Sequence, residues 1–469
     1  MAGNAVTTDP GLFPIFKEWY DDRKMAEVLW RASPVLREMQ MTRIGGKTYN
    51  FTANYAAGGA ASGSALVASA NAANGQGKNV QFAVTPGRLF SIFNINPQEI
   101  FASENVRGAF VPVPVIRMGD GLASLRRLWA IALYGTGYGE IGQVGSTPTT
   151  SIGSQTIDLG TYDKITKLDI GVTFQVTNGA TPASTLRAGV GTVTAIAGTV
   201  VTFSYTAVET WATTDWIEIQ GCTDGTNPIL PVGLAAWLPS GATRAAINSG
   251  TPFYGVDRTI WLDRLAGNAV VQGSAGYSGE KFADFIVRAV NQARIAGQGN
   301  EMMLIINPFD YNAFITEISA QTAYVQQTNM NAAKGSDNVA TRGLAESSFM
   351  FQNSWISKVY DDLYCPQGVL YIVDKDSMEF VMLNGGEQTV KDGVADNDPG
   401  VQNPADASAP DLKTFQFIFD DYMTFQPGSM TAAGPVLQAI MQIYGNFIVR
   451  EPGHCVVGTF TEPVVISSS

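Results

Sequence analysis

Residues 56–79 read AAGGAASGSALVASANAANGQGKN, a run of almost nothing but Ala, Gly, Ser and Asn. Side chains this small cannot bury enough surface to offset the entropy of ordering the chain. The flanks differ in character. IGGKTYNFTANY at 44–55 and QFAVTPGRLFSIFNIN at 81–96 both alternate apolar and polar residues, as half-buried strands do. The spacing predicts two strands joined by a long excursion. Long structureless loops are uncommon inside compact domains, so the excursion is either mobile or ordered by a neighbour.

The rest of the chain is built to fold. Of 469 residues, 45% are hydrophobic and 10% aromatic, which excludes a disordered chain. The formal net charge is −12 with only 15% of residues charged. That excludes a simple basic nucleic-acid binder, whose affinity comes from neutralising phosphates. The acidity is concentrated, since residues 361–430 hold thirteen Asp and Glu against three Lys and Arg.

LFPIFKEWYDDRKMAEVLWRASPVLREM opens a helical region over 12–44, with Phe16, Tyr20, Met25, Leu29 and Leu36 near helical spacing and Pro34 as an interruption. Such an arm docks either on its own domain or on another subunit. PVPVIRMGDGLASLRRLWAIALY at 112–134 gives the clearest helix, with Asp120 as the expected cap and a stripe of Leu122, Leu125, Trp129 and Leu133. Short Thr-rich, Gly-punctuated runs over 146–221 predict an inserted β module. SGEKFADFIVRAVNQARIAG at 278–297 predicts an amphipathic helix with Phe282, Phe285, Ile286, Ala289 and Val290 inward.

MMLIINPFDYNAFITEI then reads as strand, Asn307-Pro308 turn and helix, the step of an α+β or α/β domain. Further strands are expected over 345–360, 369–383 (a hairpin or two short strands), 415–426 and 438–460. The fold class expected from these elements is α+β.

Few motifs carry chemistry. GTGYG at 135–139 follows a helix, whereas a dinucleotide fingerprint follows a strand and opens a helix. Cys222, Cys365 and Cys455 form no CxxC pair, and His454 is the only histidine. His454 and Cys455 are neighbours, and adjacent strand residues point to opposite faces, so a buried or rim histidine is expected rather than a catalytic pair. The pairs Asp361–Asp362, Asp374–Asp376 and Asp420–Asp421 offer oxygen ligands to a hard cation. They lack EF-hand spacing, so a solvated face or intersubunit ion pairs is the expectation. A glycosidase pair is not singled out by spacing. No catalytic, cofactor-binding or metal residue is assigned, and the chain is expected not to be an enzyme. The N-terminus shows no basic region followed by an apolar run, so no signal peptide is expected. No stretch has the ~20 apolar residues of a membrane helix.

The parts, in this order, resemble the major capsid protein of tailed double-stranded DNA bacteriophages, the HK97-type fold. PFYGVDRTIWLDRLAG at 252–267, preceded by GLAAWLP at 233–239, is similar to a "GL…" segment followed by a "DR…W" phrase in that family. MLIINPFDYNAF at 303–314 is similar to its strand, Asn-Pro, helix step. The resemblance implies an N-terminal arm over 1–43, an extended loop over 44–96 and a peripheral-domain part with the spine helix over 97–145. It further implies an inserted β-rich domain over 146–227, a second peripheral part over 228–300 and an axial domain with return strands over 301–469.

It implies pentamers and hexamers of this chain in an icosahedral shell around double-stranded DNA held without tight specific binding. A scaffolding protein, a portal and a decoration protein are the implied partners. The implied location is the virion capsid, assembled in the host cytoplasm without a membrane. Some members crosslink Lys to Asn between subunits. Lys47 and Lys78 flank the excursion, but no Asn partner is located, and no crosslink is expected. Two other classes fit the composition: a tail tube or sheath protein, and a glycan-active enzyme with a β-rich binding module.

Overall fold

The computed structural model describes residues 34–44, 46–56, 62–71, 77–95, 113–144, 149–150, 153–225, 227–248, 250–296, 302–312, 356–383 and 437–460. The chain divides into two compact units, one of residues 1–32, 88–129 and 390–443, the other of 33–87, 130–389 and 444–469. In the first, Ser91 Oγ donates to the carbonyl of Gly121 at 2.8 Å, tying the strand Gly87–Ile95 to the helix Val113–Tyr134. The remaining description concerns the second unit.

Its centre is a five-stranded mixed sheet. The order is Asn268–Val271, Val456–Thr459, Val369–Asp374, Met302–Ile306 and Ile356–Asp361. The two outer pairs are parallel, and Val369–Asp374 runs antiparallel to both of its neighbours. Every residue of Met302–Ile306 is buried, as the continuous apolar run MMLII requires. The helix Phe282–Ala296 lays Phe282, Phe285, Ile286, Ala289, Val290 and Ala293 on this sheet. Each large apolar side chain buried there contributes roughly 1.5–3 kcal/mol. Gly458 permits the approach, because a Cβ at that position would meet the Phe285 ring at 2.8 Å.

The Asn-Pro step forms as expected. Asn307 is buried, its Oδ1 accepts from Phe309 N–H and its Nδ2 donates to the Cys365 carbonyl at 2.7 Å, which starts the helical turn at 308–312.

A second sheet has six antiparallel strands in the order Glu140–Gln143, Trp216–Ile219, Thr173–Thr177, Gly191–Ala197, Val200–Tyr205 and Gly153–Asp158. Its core gathers Phe174, Phe203, Tyr205, Trp211 and Ile217. Trp211 stacks on Phe203 at 5.5 Å and meets Tyr205 edge-on at 5.2 Å. The sheet recruits Glu140–Gln143, which lies ahead of residue 146 where the β-rich stretch was expected to begin.

Two local expectations are corrected. The stretch 12–44 was read as helical, yet Gln40–Ile44 is a strand, parallel to Met378–Leu383. Pro34 opens the short helix Pro34–Glu38, where proline's missing N–H costs nothing in a first turn. Asp120 is no cap: its helix begins at Val113, with Pro114 in the first turn, and Asp120 lies inside it. Of the two readings of 369–383, a hairpin or two short strands, the second holds, with Val369–Asp374 and Met378–Leu383 in different sheets. Between them a 3-10 turn, Lys375–Ser377, is capped by the Asp374 carboxylate accepting from Asp376 N–H. The arm over 1–33, the strand expected at 415–426, residues 345–355 and Asp420–Asp421 lie outside the described residues.

Candidate assembly site: a hairpin rooted at its base

The small-residue run is flanked by two strands as expected, and the strands pair as an antiparallel hairpin, Tyr49–Ala56 against Lys78–Val84, with Tyr49 opposite Val84 and Phe51 opposite Phe82. Phe51, Ala53, Phe82 and Val84 point inward and are buried. Asn50, Thr52, Asn54, Gln81 and Ala83 point out.

The inward face meets an aromatic cluster near the hairpin's base. Phe51 stacks on Phe82 at 5.2 Å, and Trp237 lies 5.4 Å from Phe82 and 6.1 Å from Phe51. Trp237 also meets Phe253 edge-on at 4.9 Å and Tyr254 at 5.8 Å. Trp237, Phe253 and Tyr254 come from GLAAWLP and PFYGVDRTIW, phrases on which the family resemblance partly rests. Tyr254 adopts φ 48°, a conformation rarely taken by non-glycine residues. Its carbonyl accepts from Ala83 N–H at 3.0 Å, so the turn docks directly on the hairpin.

Polar bonds fix the same base. Asn446, buried in the strand Leu437–Val449, accepts from Val232 N–H at 2.7 Å and donates to Thr85 carbonyl and to the Tyr254 hydroxyl, both at 2.7 Å. Burial holds the Tyr254 phenol above its ordinary pKa, so it stays neutral. Trp237 Nε1 donates to the Phe447 carbonyl at 2.9 Å. Arg450 Nη2 donates to the Tyr49 hydroxyl at 3.0 Å while its guanidinium pairs with Glu379 at 2.6 Å. Gly87 closes the root: a Cβ there would collide with the backbone of Leu230 and Pro231.

Beyond the base the described residues 62–71 are mostly exposed. The helix Ala65–Asn71 carries Leu66 at 82% exposure and Val67 at 47%. Lys47 and Lys78 are exposed beside the hairpin. The arrangement couples a fixed root to an outer segment that offers apolar side chains to solvent.

The sequence candidates for chemistry are placed elsewhere. His454 sits in the 3-10 turn Pro452–His454 and not on a strand. Its Nδ1 is 2.8 Å from the Glu451 carboxylate and 3.6 Å from that of Asp374. The Asp374 carboxylate is the largest influence raising its pKa, with Glu451 adding to it against the cost of burial. Cys455 is buried, and burial pushes its thiol up to about 12, as it does that of Cys222. The thiol of Cys365 is raised by burial too. All three are therefore protonated, unreactive core residues near neutral pH.

The acidic pairs are not solvated faces throughout. Asp361 is exposed, but Asp362 is buried and accepts from the Tyr134 hydroxyl at 2.8 Å and from Tyr364 N–H at 3.0 Å. Asp374 is buried as a cap and histidine partner. Among the described residues no group of three or more His, Cys, Asp or Glu is arranged to hold a metal ion, and no helix is long and apolar enough to cross a membrane. GTGYG does end its helix, with Gly137 and Gly139 at positive φ.

Two features escaped sequence reasoning. Asn446 was visible only as one polar residue in the apolar run QAIMQIYGNFIV. Glu218 and Glu140 are register partners on neighbouring strands, both buried. Thr136 N–H donates to the Glu140 carboxylate at 2.8 Å. The Glu218 oxygens have no hydrogen-bond partner among the described residues. Burial, with Glu140 beside it, pushes the Glu218 carboxyl up to about 9.

No family model matches the chain, and neither does any curated protein. Among solved structures it is similar to the capsid asymmetric unit of cyanophage A-1(L), at 13% identity and TM-score 0.47, over 92% of this chain and 93% of that one. It is similar to a structure from Mycobacterium phage Bobi, at 10% identity and TM-score 0.43, over 97% and 98%. The capsid of a native GTA particle is similar at 9% identity and TM-score 0.41, over 98% and 100%.

Proposed function

We propose that this chain is a major capsid protein of the HK97 type, a structural subunit and not an enzyme. In this reading copies assemble as pentamers and hexamers into an icosahedral shell that encloses double-stranded DNA. The observation that carries the reading is the hairpin: its base is fastened by Phe51, Phe82, Trp237, Tyr254 and Asn446, while Leu66 and Val67 near its outer end face solvent. A segment rooted so firmly, yet with no core of its own, is suited to lie on a neighbouring copy. Each overlap adds buried area, and obligate interfaces bury on the order of 2,000–5,000 Å².

The remaining assignments follow the same reading. Residues 1–43 are the arm, 44–96 the extended loop, and 97–145 with 228–300 the peripheral domain carrying the spine helix Val113–Tyr134. Residues 146–227 form an inserted β-rich domain and 301–469 the axial domain with return strands. The net charge of −12 suits a container whose wall does not hold DNA tightly, because like charge weakens adhesion. Scaffolding protein, portal and decoration protein are its expected partners, the host cytoplasm its place of assembly and the virion its destination. Electron microscopy of the purified chain, alone and with a scaffold, tests this: closed shells support it, and tubes would favour a tail tube or sheath protein instead.

A further inference from the structure

The chain crosses twice between the five-stranded sheet and a neighbouring strand pair. Val369–Asp374 passes through the 3-10 turn Lys375–Ser377 into Met378–Leu383, and Leu437–Val449 returns through residues 450–455 into Val456–Thr459. The crossings run side by side, because Ile372 pairs with Val456 on one side of the junction and Met378 with Val449 on the other. Arg450 N–H donates to the Ser377 carbonyl at 2.9 Å, and the Arg450 guanidinium holds Glu379 at 2.6 Å. His454, the chain's one histidine, reaches from one crossing to the other. Its Nδ1 is 2.8 Å from Glu451 Oε2 on its own crossing and 3.6 Å from Asp374 Oδ2 on the opposite one. Asp374 divides its oxygens, since Oδ1 accepts from Asp376 N–H at 3.3 Å while Oδ2 faces the imidazole.

We propose that His454 is a proton-operated clasp between the two crossings. Charged, the imidazolium sits against both carboxylates and ties the 450–455 crossing to the 374–377 crossing. Neutral, it leaves two carboxylates facing one uncharged ring, and the crossings part more often. The proton comes from solvent, which reaches the ring because 22% of the side chain stays exposed. No bond between heavy atoms changes. The inference concerns contacts within one chain and does not depend on the capsid reading.

The surroundings support the assignment. On the crossings themselves the other charges are Arg450, held by Glu379, Lys375, paired with Glu38 at 3.1 Å, and the exposed Asp376. The turn Pro452–His454 packs against the helix Leu262–Leu265, the strand Asn268–Val271 and the helix Phe282–Ala296. The strand carries no charged residue, and its Asn268 fixes the turn by donating through Nδ2 to the Gly453 carbonyl at 2.8 Å. The two helices bring Asp263, Arg264, Asp284, Arg288 and Arg294. Asp263 is paired with Arg244 and Arg288 with Glu280. Arg264 is the one that bears on the ring, and it opposes the proton. The neighbouring Cys455 thiol is kept neutral by burial. Two carboxylates against one guanidinium leave the balance in favour of the imidazolium.

The sign follows from linkage. Asp374, then Glu451, raises the imidazole above its ordinary value of 6.5 while the clasp is closed, against the cost of burial. A raised base favours the closed form fully below 6.5, and that advantage is lost as pH climbs through the raised value. Each pH unit by which the closed-state midpoint exceeds 6.5 is worth about a tenfold change in how often the junction opens.

With a single histidine, isotope-labelled histidine gives one imidazole signal in NMR of the full chain. The wild-type signal is expected to titrate with a midpoint above 6.5. Asp374→Asn keeps an acceptor for Asp376 N–H but removes the charge, and is expected to lower that midpoint. Hydrogen exchange at the Arg450 amide, corrected for intrinsic rates and referred to core amides of Val200–Tyr205, reads the clasp itself. Protection is expected to fall as pH rises through the measured midpoint, by about tenfold for each pH unit the midpoint stands above 6.5. In His454→Gln it is expected to be low and flat across the same range. A wild-type midpoint at or below 6.5, one that Asp374→Asn leaves unmoved, or Arg450 protection that ignores the midpoint would overturn the clasp. If either variant fails to fold, the wild-type midpoint and exchange profile decide.

Discussion

Asn446 donates through Nδ2 to the Tyr254 hydroxyl at 2.7 Å, joining a residue near the C-terminal end of the chain to the turn on which the hairpin docks. The same side chain satisfies Val232 N–H and the Thr85 carbonyl. Asn446→Leu therefore removes three bonds at once and strands the buried Val232 N–H. We expect a loss of about 2–4 kcal/mol in denaturant unfolding. Limited proteolysis is expected to cut the hairpin earlier than in the wild type. Unchanged stability would show that the root is held by the rings alone.

Root and outer end of the hairpin should respond oppositely. Phe82→Ala opens a cavity between Phe51 and Trp237 and is expected to cost about 3–5 kcal/mol. Leu66→Asp with Val67→Asp changes exposed positions, so the isolated chain should keep its melting temperature to within about 0.5 kcal/mol of stability. Assembly, read by light scattering, is expected to fail in the double variant. Assembly at the wild-type rate would remove the outer helix from the interface.

Glu218 makes stability depend on pH in a definite direction. Its carboxyl is raised from an ordinary 4.5 to about 9, chiefly by burial and then by Glu140. The folded chain thus holds a proton that the unfolded chain releases. Stability is greatest below about 4.5 and falls as pH rises towards about 9. Glu218→Gln keeps the shape without the charge, so it is expected to be more stable than wild type at pH 8 and to flatten the slope. Thermal melts across pH 5–9 check this, and a variant less stable at pH 8 would mean that Glu218 is ionised and paired.

Gly191 faces the Phe174 ring so closely that a Cβ would overlap it. Gly191→Ala must displace Phe174 and through it the contacts with Phe203 and Trp211. A loss of about 1–3 kcal/mol is expected, together with altered tryptophan fluorescence. An unshifted spectrum and midpoint would show that the ring yields freely.

Local periodicity made much of this architecture readable. Phe282, Phe285, Ile286, Ala289 and Val290 announce one helix face, MMLII a buried strand, and the alternation around Phe51 and Phe82 two strands. What stayed hidden depends on partners far along the chain. Gln40–Ile44 is a strand because Met378–Leu383 offers it a parallel edge, and nothing in QMTRI says so. Asp120 looked like a cap because Asp before an apolar stripe usually is one, yet the helix had already begun at Val113. The candidate site was half legible. Its two strands and the phrases around Trp237 and Tyr254 stood out, but Asn446 gains its role only when three separate segments converge on it.

The most direct test of the central claim is cryo-electron microscopy of the purified full chain under assembly conditions, with its scaffold if one is needed. The account predicts closed icosahedral shells in which the 49–84 hairpin lies across an adjacent copy. Open tubes, or subunits that stay separate while the hairpin rests on its own chain, would contradict it.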